Sequence, residues 1–249
     1  MAWMVSASLM PAGEASSYPP RLLPRVVTLE HYVTLFTRLN LGRSLLNSAL
    51  IALTVTLISL LVNSMAGYAF AKLRFRARDR LFRLLATGLV VPVQVAMLPL
   101  FLLLKQLGLI NSYWGVIIPG MASIFGIFLI RQYAQSIPDE LLDAARMDGS
   151  SELRTYWSIV LPTIVPILAT LAIWTFLSTW NDFMWPLIVL SDESRYTLPV
   201  ALANLVGEHV QDTELMMAGS VLTVLPVMIV FLFLQRYYVQ GVMMGSVKG

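Results

Sequence analysis

Long stretches without a charged residue dominate the pattern of this chain. Five runs of at least 20 residues contain no Asp, Glu, Lys or Arg, at positions 44–71, 84–104, 106–130, 155–181 and 215–235. A helix needs roughly 20 apolar residues to cross the core of a bilayer. A single run of this kind is compatible with a buried helix of a soluble domain, but five would leave such a domain without polar faces. The pattern therefore predicts an all-α membrane protein, a polytopic helical bundle with five spans.

The composition agrees with this pattern. Hydrophobic residues make up 57% of the 249 residues and charged residues only 12%, whereas a soluble domain averages about 25% charged residues. These values exclude an ordinary cytosolic enzyme, a disordered protein and a nucleic-acid-binding protein. The chain has no cysteine, which excludes disulfides, thiolate metal sites and a catalytic thiol. Its two histidines, His31 and His209, are too far apart for a zinc motif, so we expect neither a metal nor a cofactor.

The loops between the runs carry uneven charge, which predicts the orientation in the membrane. Residues 72–83 contain six basic side chains against one acidic, whereas residues 182–214 contain one basic side chain against six acidic ones. Cytoplasmic loops are enriched in Lys and Arg. This rule places 72–83, 131–154 and the tail after 236 in the cytoplasm, and 1–43 and 182–214 outside. The alternative for the basic run at 72–83 is a nucleic-acid or acidic-lipid patch. We interpret it as a topology signal with some anionic-lipid contact and assign it no separate function.

The predicted domain boundaries follow the same runs. They give an external segment, a transmembrane domain with one cytoplasmic loop, and a cytoplasmic tail, at 1–40, 41–240 (loop 132–162) and 241–249. Within the external segment, residues 1–10 are too short for a span, and residues 11–40 predict an exposed loop with one short helix. Because five spans leave the two ends on opposite sides of the membrane, we expect residues 1–10 to be the remnant of a lost first span.

The loop between the third and fourth runs differs from the others because it contains the signals of a short helix. Ser136 and Asp139 have the spacing of a capping box, and Gly149 is placed to end the helix, which predicts a helix over 137–149. The helical period puts four side chains on one face: Leu141, Ala144, Ala145 and Asp148. A second helix start follows at 150–152. The loop therefore predicts a small apolar docking surface with acidic residues around it, and no catalytic centre.

The order of residues in this loop resembles the EAA loop of ABC importer permeases. Asp143, Ala144 and Ala145 are followed by Gly149, and the segment Ile159-Val160-Leu161-Pro162 fits the second part of that motif. Asp143 replaces the usual Glu, a departure that keeps the charge. The resemblance implies a coupling helix that sits in a cleft of an ATPase subunit. The residues that it implies for ATPase coupling are Glu140, Leu141, Asp143, Ala144, Ala145, Asp148, Gly149, Leu161 and Pro162.

The resemblance extends over residues 26–249, to the carbohydrate-uptake branch of the same family. Its further motifs are Asn47-Ser48, Asn181-Asp182-Phe183, Tyr196-Thr197-Leu198-Pro199 and the tail from Gln235. Members usually have six spans. The resemblance implies the transmembrane permease subunit of an ATP-driven importer in the inner membrane, for a sugar or sugar-like solute. The partners that it implies are a second homologous permease subunit, two ATP-binding cassette ATPase subunits and an external solute-binding protein.

Polar side chains within or beside the runs are candidates for a substrate path. They are Asn63, Gln94, Asn181 and Asp182. Polar groups inside spans bond across helices in many membrane proteins, and in some they mark a solute pathway. For Asp182 the alternative interpretation is that the carboxylate caps a helix.

Several motifs are absent from the sequence, and their absence separates the rival functions. Without a G-x-x-x-x-G-K-[ST] motif, we expect no ATP site and no enzymatic activity on this chain, and we expect ATP hydrolysis on partner subunits. No run has a charged residue at its centre, which disfavours the alternative function, a secondary transporter or channel subunit. A membrane hydrolase would need an H-E-x-x-H or G-x-S-x-G motif, and neither occurs.

The orientation can be tested with single cysteines, because the chain has none of its own. In intact cells, the Arg78→Cys variant should resist a membrane-impermeant thiol reagent, while the Ser191→Cys variant should react with it. Both should react after the membrane is permeabilised. Reaction at position 78 together with protection at position 191 would overturn the orientation, and with it the cytoplasmic location of the 137–149 helix.

Overall fold

The computed structural model describes residues 1–19, 21–37, 40–208 and 212–246, with side chains described for 1–19, 21–37, 40–205 and 212–233. No strand occurs among these residues. The chain divides into two compact units, each assembled from three stretches that are separate in sequence. The first unit contains Met1–Ile51, Gly108–Val116 and Trp180–Phe231, and the second contains Ala52–Leu107, Ile117–Thr179 and Leu232–Gly249.

The helices are short near the N-terminus and in the loops, and long in three of the predicted runs. In chain order they are α1 (Ala2–Ala7), α2 (Glu30–Thr37), α3 (Leu41–Lys72), α4 (Arg78–Thr87), α5 (Val93–Gln106), α6 (Tyr113–Gly120), α7 (Ile124–Ala134), α8 (Asp139–Met147), α9 (Glu152–Thr155), α10 (Leu161–Thr163), α11 (Val165–Trp180), α12 (Met184–Val189), α13 (Leu198–Glu208) and α14 (Thr213–Ser246). Single helical turns at Gly88–Val90 and Glu193–Arg195 and a π-helical turn at Tyr156–Val160 complete the secondary structure.

Three stretches among the described residues are long and apolar enough to cross a membrane as they stand. They are Leu41–Lys72, Tyr113–Ala134 and Thr213–Phe233, and they correspond to the first, third and fifth predicted runs. The second and fourth runs form bent pairs of helices, and counting each pair as one span gives up to five. The prediction of an all-α polytopic bundle is confirmed, with five as the upper value of the span count.

Proline accounts for both bends. Arg78–Val90 and Val93–Gln106 meet at 105°, where Pro92 follows Val91, whose backbone is extended (ψ 118°). The ring of a proline disfavours the helical conformation in the residue before it. Glu152–Thr163 and Val165–Trp180 meet at 79° between Pro162 and Pro166, which lack the backbone N–H groups that a continuous helix would use.

The third run begins later than the sequence predicted. Gly108 and Asn111 adopt positive φ values of 68° and 54°, so residues 107–112 form turns and α6 begins at Tyr113. Asn111 has a definite role in this turn. Its N–H donates to the Val189 carbonyl (2.8 Å), and its Oδ1 accepts the N–H groups of Ser191 and Asp192 (both 3.1 Å).

In the first unit, the beginning of α3 holds the segment that precedes α13. Asn47 Nδ2 donates to the carbonyls of Ser194 (3.1 Å) and Tyr196 (3.0 Å). Ser48 Oγ accepts the N–H of Leu198 at 2.7 Å. The motifs Asn47-Ser48 and 196–199, which the sequence analysis identified separately, therefore bind each other.

Most described residues of 11–40 are exposed and the expected short helix is present as α2, but three side chains anchor this segment in the first unit. Ala15, His31 and Leu35 are buried. The ring nitrogen Nε2 of His31 bonds to the Met10 carbonyl (2.9 Å), and the N–H of Ala15 donates to Glu214 Oε1 (2.7 Å) at the start of α14. Sequence patterns missed this packing because Ala15 and Glu214 are 199 positions apart.

The core of the second unit packs several helices against the 132–162 loop. Tyr68, Ile130, Leu142, Tyr156 and Leu171 are each at most 3% exposed and belong to one cluster. The cluster brings together α3, α7, α8, the π-helical turn and α11. α3 and α7 pack closely, because a Cβ on Gly67 would lie only 2.6 Å from the Ile130 side chain.

The last helix extends beyond the predicted span. α14 continues to Ser246, so the expected tail at 241–249 begins as a continuation of this helix. Residues 247–249 and His209 lie outside the described residues.

Candidate functional site

The predicted docking helix is present as α8, but its start differs from the prediction. The helix begins at Asp139 with Pro138 as N-cap and without a side-chain capping bond. Ser136 instead donates its hydroxyl to the Tyr133 carbonyl (2.7 Å), so the capping box is wrong. Lys72 holds this end: its Nζ donates to the Ile137 carbonyl and to Asp139 Oδ1, both at 2.6 Å. This hydrogen bond from the ammonium group lowers the pKa of the Asp139 carboxyl.

The end of α8 confirms the role predicted for Gly149. Its φ is +75°, a left-handed conformation that residues with a Cβ rarely adopt. The Ser150 N–H donates to the Ala145 carbonyl (2.9 Å) and the Gly149 N–H to the Arg146 carbonyl (3.0 Å). These two bonds form a Schellman motif, which satisfies carbonyls at the end of a helix. The second helix start is also present, with Ser151 Oγ accepting the Arg154 N–H (3.3 Å).

The residues that the helical period placed on one face of α8 lie on two faces in the structure, one buried and one exposed. Leu142 (1% exposed) and Ala145 (9%) face the interior of the second unit. The exposed residues are Asp139, Glu140, Leu141, Asp143, Ala144, Arg146, Met147 and Asp148. Ala145 was expected at the docking surface, and its burial corrects that expectation. It lies at the edge of the predicted arc, where the helical period alone does not tell an inner residue from an outer one.

Arg146 ties α8 to the helix that follows. Its Nη1 donates to Asp143 Oδ1 (2.8 Å) and its Nε to Glu152 Oε1 (2.9 Å). Hydrogen bonds to Glu152 and Asp143 raise the pKa of the Arg146 guanidinium above its ordinary value. The sequence analysis did not single out Arg146, although its spacing of three residues from Asp143 is a signal for a helical ion pair.

α3 contacts the loop through three side chains spaced by four residues. Lys72 binds the start of α8, as described above. The Tyr68 hydroxyl donates to Glu152 Oε2 (2.9 Å), and Ser64 Oγ bonds to the Tyr156 hydroxyl (2.7 Å). Residues separated by four positions lie on the same side of a helix. These three α3 residues, which we call the α3 ladder, were missed by sequence reasoning, although their spacing was visible in it.

Leu161 and Pro162 lie in a joint between helices. They follow the π-helical turn Tyr156–Val160 and precede the 79° bend. Tyr156 and Val160 are buried in the core cluster, and Leu161 packs against it. The ATPase-coupling role of Leu161 and Pro162 stays a prediction.

Among the candidate substrate-path residues, Asn63 is fully buried and bonded within the second unit. Its Nδ2 donates to Ser59 Oγ (2.6 Å), and its Oδ1 accepts the N–H of Ser123 (3.0 Å), the residue that begins α7. The Asn63 amide therefore stabilises the interruption between α6 and α7. Gln94, in the same unit, is exposed in the first turn of α5.

The other two path candidates belong to the first unit. Asp182 Oδ1 accepts the N–H of Trp185 (3.3 Å), so the carboxylate caps α12, which is the alternative interpretation. Burial raises the pKa of this carboxyl. Asn181 is exposed. The role of all four residues in a substrate path stays a prediction. Within the described ranges, no three His, Asp or Glu side chains are grouped so that they could hold a metal ion.

Comparison with known proteins agrees with this architecture. The family described as the binding-protein-dependent transport system inner membrane component matches residues 63–244. The arabinooligosaccharide transport permease protein AraQ of Halalkalibacterium halodurans is 39% identical over 249 residues, covering 99% of this chain and 89% of AraQ. The lactose transport permease protein LacG of Rhizobium radiobacter is 36% identical, covering 88% of this chain and 80% of LacG.

Two further relatives extend the comparison. The sn-glycerol-3-phosphate transport permease protein UgpE of Yersinia pestis is 37% identical, covering 80% of this chain and 72% of UgpE. The crystal structure of a bacterial ABC transporter that imports the acidic polysaccharide alginate superposes with a TM-score of 0.84 at 26% identity, covering 95% of this chain and 89% of that one. The fold and these matches define the class as a membrane permease of the ABC importer type. The chain belongs to the family of inner membrane components of binding-protein-dependent transport systems.

The left-handed end of α8 can be tested by substitution. No atom lies within 4 Å of a Cβ built on Gly149, so Gly149→Val adds backbone strain without a clash. This strain costs roughly 1–2 kcal/mol, and we expect deuterium exchange at the Ser150 amide to become about tenfold faster. Gly149→Asn is the matched control and should change exchange less, because Asn tolerates this conformation. Equal exchange in the wild type and both variants would contradict the assigned role of Gly149.

Proposed function

We propose that this chain is one half of the membrane pathway of an ATP-driven sugar importer, and that ATPase subunits dock on the exposed face of α8. The observation that carries the docking proposal is a short helix that exposes Leu141 (44%) and Met147 (88%) while its other face is anchored in the core. Exposed apolar side chains of this kind, rimmed by polar residues, mark interaction surfaces. The printed names of the relatives support the substrate class, because AraQ, LacG and the alginate importer all carry carbohydrates.

The proposal includes partners that complete the transporter. A second, homologous permease subunit forms the other half of the pathway, two ATPase subunits supply ATP hydrolysis, and an external solute-binding protein delivers the sugar. The family description, which names dependence on a binding protein, supports the solute-binding protein, and the match to an ABC importer supports the ATPase partners. The charge pattern of the loops supports a cytoplasmic location for α8 and the C-terminal tail, and an external one for 1–43 and 182–214.

The chemistry of the exposed face fits a close protein contact. Ala144 lies between Leu141 and Met147 on the exposed side, and its small side chain lets a partner approach the helix closely. Glu140 and Asp148 add negative charge at the rim, whereas Asp143 is paired with Arg146. Such a face suits an ATPase cleft that has an apolar floor and basic residues at its edge.

The α3 ladder provides a route from the docking helix into the membrane domain. A displacement of α8 acts on Lys72 through the Asp139 ion pair (2.6 Å), and on Tyr68 through Arg146 and Glu152. Because Ser64, Tyr68 and Lys72 belong to one continuous helix, the displacement reaches the pathway as a movement of α3. We assign the ladder residues as positioning residues, since they act through α8 and α9 and touch neither ATP nor sugar.

The docking face can be tested at Ala144. We expect Ala144→Trp to leave insertion unchanged, because the side chain is exposed, and to hold an ATPase subunit away from α8. Overpacking at a close contact costs about 1–3 kcal/mol, so recovery of co-purified ATPase subunits should fall roughly tenfold or more, and uptake with it. Ala144→Ser keeps the size class and serves as the control. Normal ATPase recovery and normal uptake in Ala144→Trp would refute docking on this face.

Transmission through α3 can be tested separately at Tyr68. Tyr68→Phe removes the hydroxyl that binds Glu152 and leaves the exposed face of α8 intact. We expect normal ATPase recovery and continued ATP hydrolysis. The amount of solute taken up per ATP hydrolysed should fall about 2- to 30-fold, which corresponds to a coupling free energy of about 0.5–2 kcal/mol. Tyr18→Phe, at a site that is 97% exposed, is the control. An unchanged ratio of uptake to hydrolysis would contradict the ladder without affecting the docking proposal.

A further inference from the structure

The short helix α4 is anchored to the second unit by one aromatic residue. Phe82 is 7% exposed, with its ring centroid 5.5 Å from Phe70 and 6.2 Å from Phe128. The Arg131 guanidinium lies 4.0 Å from the centroid of the same ring. Contacts between aromatic rings and between a cation and a ring add to the stabilisation from burial. α4 therefore has a fixed inner face and a defined outer surface.

The outer surface of α4 has a basic flank and an apolar flank. At 100° per residue, Arg80 and Arg83 lie on one flank, and Leu81 and Leu84 lie on the other. Both arginines are exposed, and the leucines are exposed by 48% and 71%. Leu84 leads on to exposed apolar side chains of the bent pair, such as Val90 (83%). The apolar flank is thus continuous with a surface suited to hydrocarbon.

A shallow, open cavity of about 520 Å³ lies beside the basic flank. It is lined by Arg74, Phe75, Ala77, Arg78, Asp79, Arg80 and Arg83. Arg78 is already engaged, since its Nε donates to Asp79 Oδ1 (3.0 Å) and its Nη1 to the Leu73 carbonyl (3.2 Å). Arg83 Nε donates to the Asp79 carbonyl (3.3 Å), and in the part of the chain that the structure describes Arg74 and Arg80 form no ion pair. The cavity therefore presents several guanidinium groups and a single carboxylate that is itself paired.

We propose that this cavity binds the headgroup of an anionic phospholipid, with the acyl chains lying along Leu81 and Leu84. Guanidinium groups match the geometry of phosphate oxygens. The adjacent apolar flank offers a contact surface for acyl chains, which a free phosphate does not have. A protein partner would have to cover this basic cavity with acidic residues, whereas a phospholipid provides charge and hydrocarbon in one molecule. The proposal rests on the membrane location of the family and is independent of ATPase docking.

The test uses the full chain purified with the subunits that accompany it. The protein is exposed to mixed micelles of phosphatidylglycerol and phosphatidylcholine, and native mass spectrometry counts the lipids of each kind that remain bound. A basic residue near an anionic surface contributes about fivefold to binding, so Arg80→Gln with Arg83→Gln should lower phosphatidylglycerol retention by up to about 30-fold. The matched control is Arg25→Gln with Lys105→Gln, two exposed charges outside the cavity.

Further arms distinguish the lipid from other occupants. Leu81→Ser with Leu84→Ser should also reduce phosphatidylglycerol retention, and an excess of inorganic phosphate should displace little of it.

Equal retention of the two lipids, or retention unaffected by the arginine variants, would overturn the proposal. Complete displacement by inorganic phosphate would reassign the cavity to a free anion. Loss of the ATPase subunits in the arginine variants without a change in lipid retention would reassign it to a protein contact. Melting temperatures equal to wild type establish that each variant is folded.

Discussion

The hydrocarbon core of a membrane offers no partner to a backbone N–H or C=O, so every interruption of a helix there must be satisfied from within the protein. The break between α6 and α7 is such an interruption, and α3 supplies the side chain that satisfies it, because Asn63 Oδ1 accepts the N–H of Ser123, the N-cap of α7. Asn47 of the same helix donates to the carbonyls of Ser194 and Tyr196, in the segment that is predicted to lie outside the membrane. Both side chains therefore stabilise non-helical backbone.

Charge-free length predicted the helical runs, and Gly149 predicted the end of α8, because both features depend on neighbouring residues only. The capping box at Ser136 is a local signal that was wrong. A distant partner could not be predicted, as for Tyr68, whose hydroxyl donates to a residue 84 positions away. A polar residue inside or beside a run has two interpretations, and only the structure shows which groups it bonds to. Asn63 bonds to Ser59 and Ser123, and Asp182 caps α12.

The sequence alone also does not tell which face of α8 is buried. A period of 3.6 residues defines an arc of the helix, but the direction of the interior relative to that arc depends on the rest of the unit. Leu142 and Ala145 turn inward because the core cluster of α3, α7 and α11 lies on that side. What remains outside is a narrow surface around Ala144. A short helix that is bound at both ends, by Lys72 to Asp139 and by Glu152 to Arg146, has little freedom to rotate about its own axis.

The four-residue spacing of the α3 ladder also constrains how this chain can vary in length. Each residue inserted into a helix rotates everything beyond it by 100°. One insertion between Ser64 and Lys72 would turn Lys72 away from Asp139 while Ser64 still faced Tyr156. Insertions and deletions are therefore incompatible with this stretch of α3. A change of length in the turn at residues 73–77 would leave that register intact, although it would alter the cavity that Arg74, Phe75 and Ala77 line.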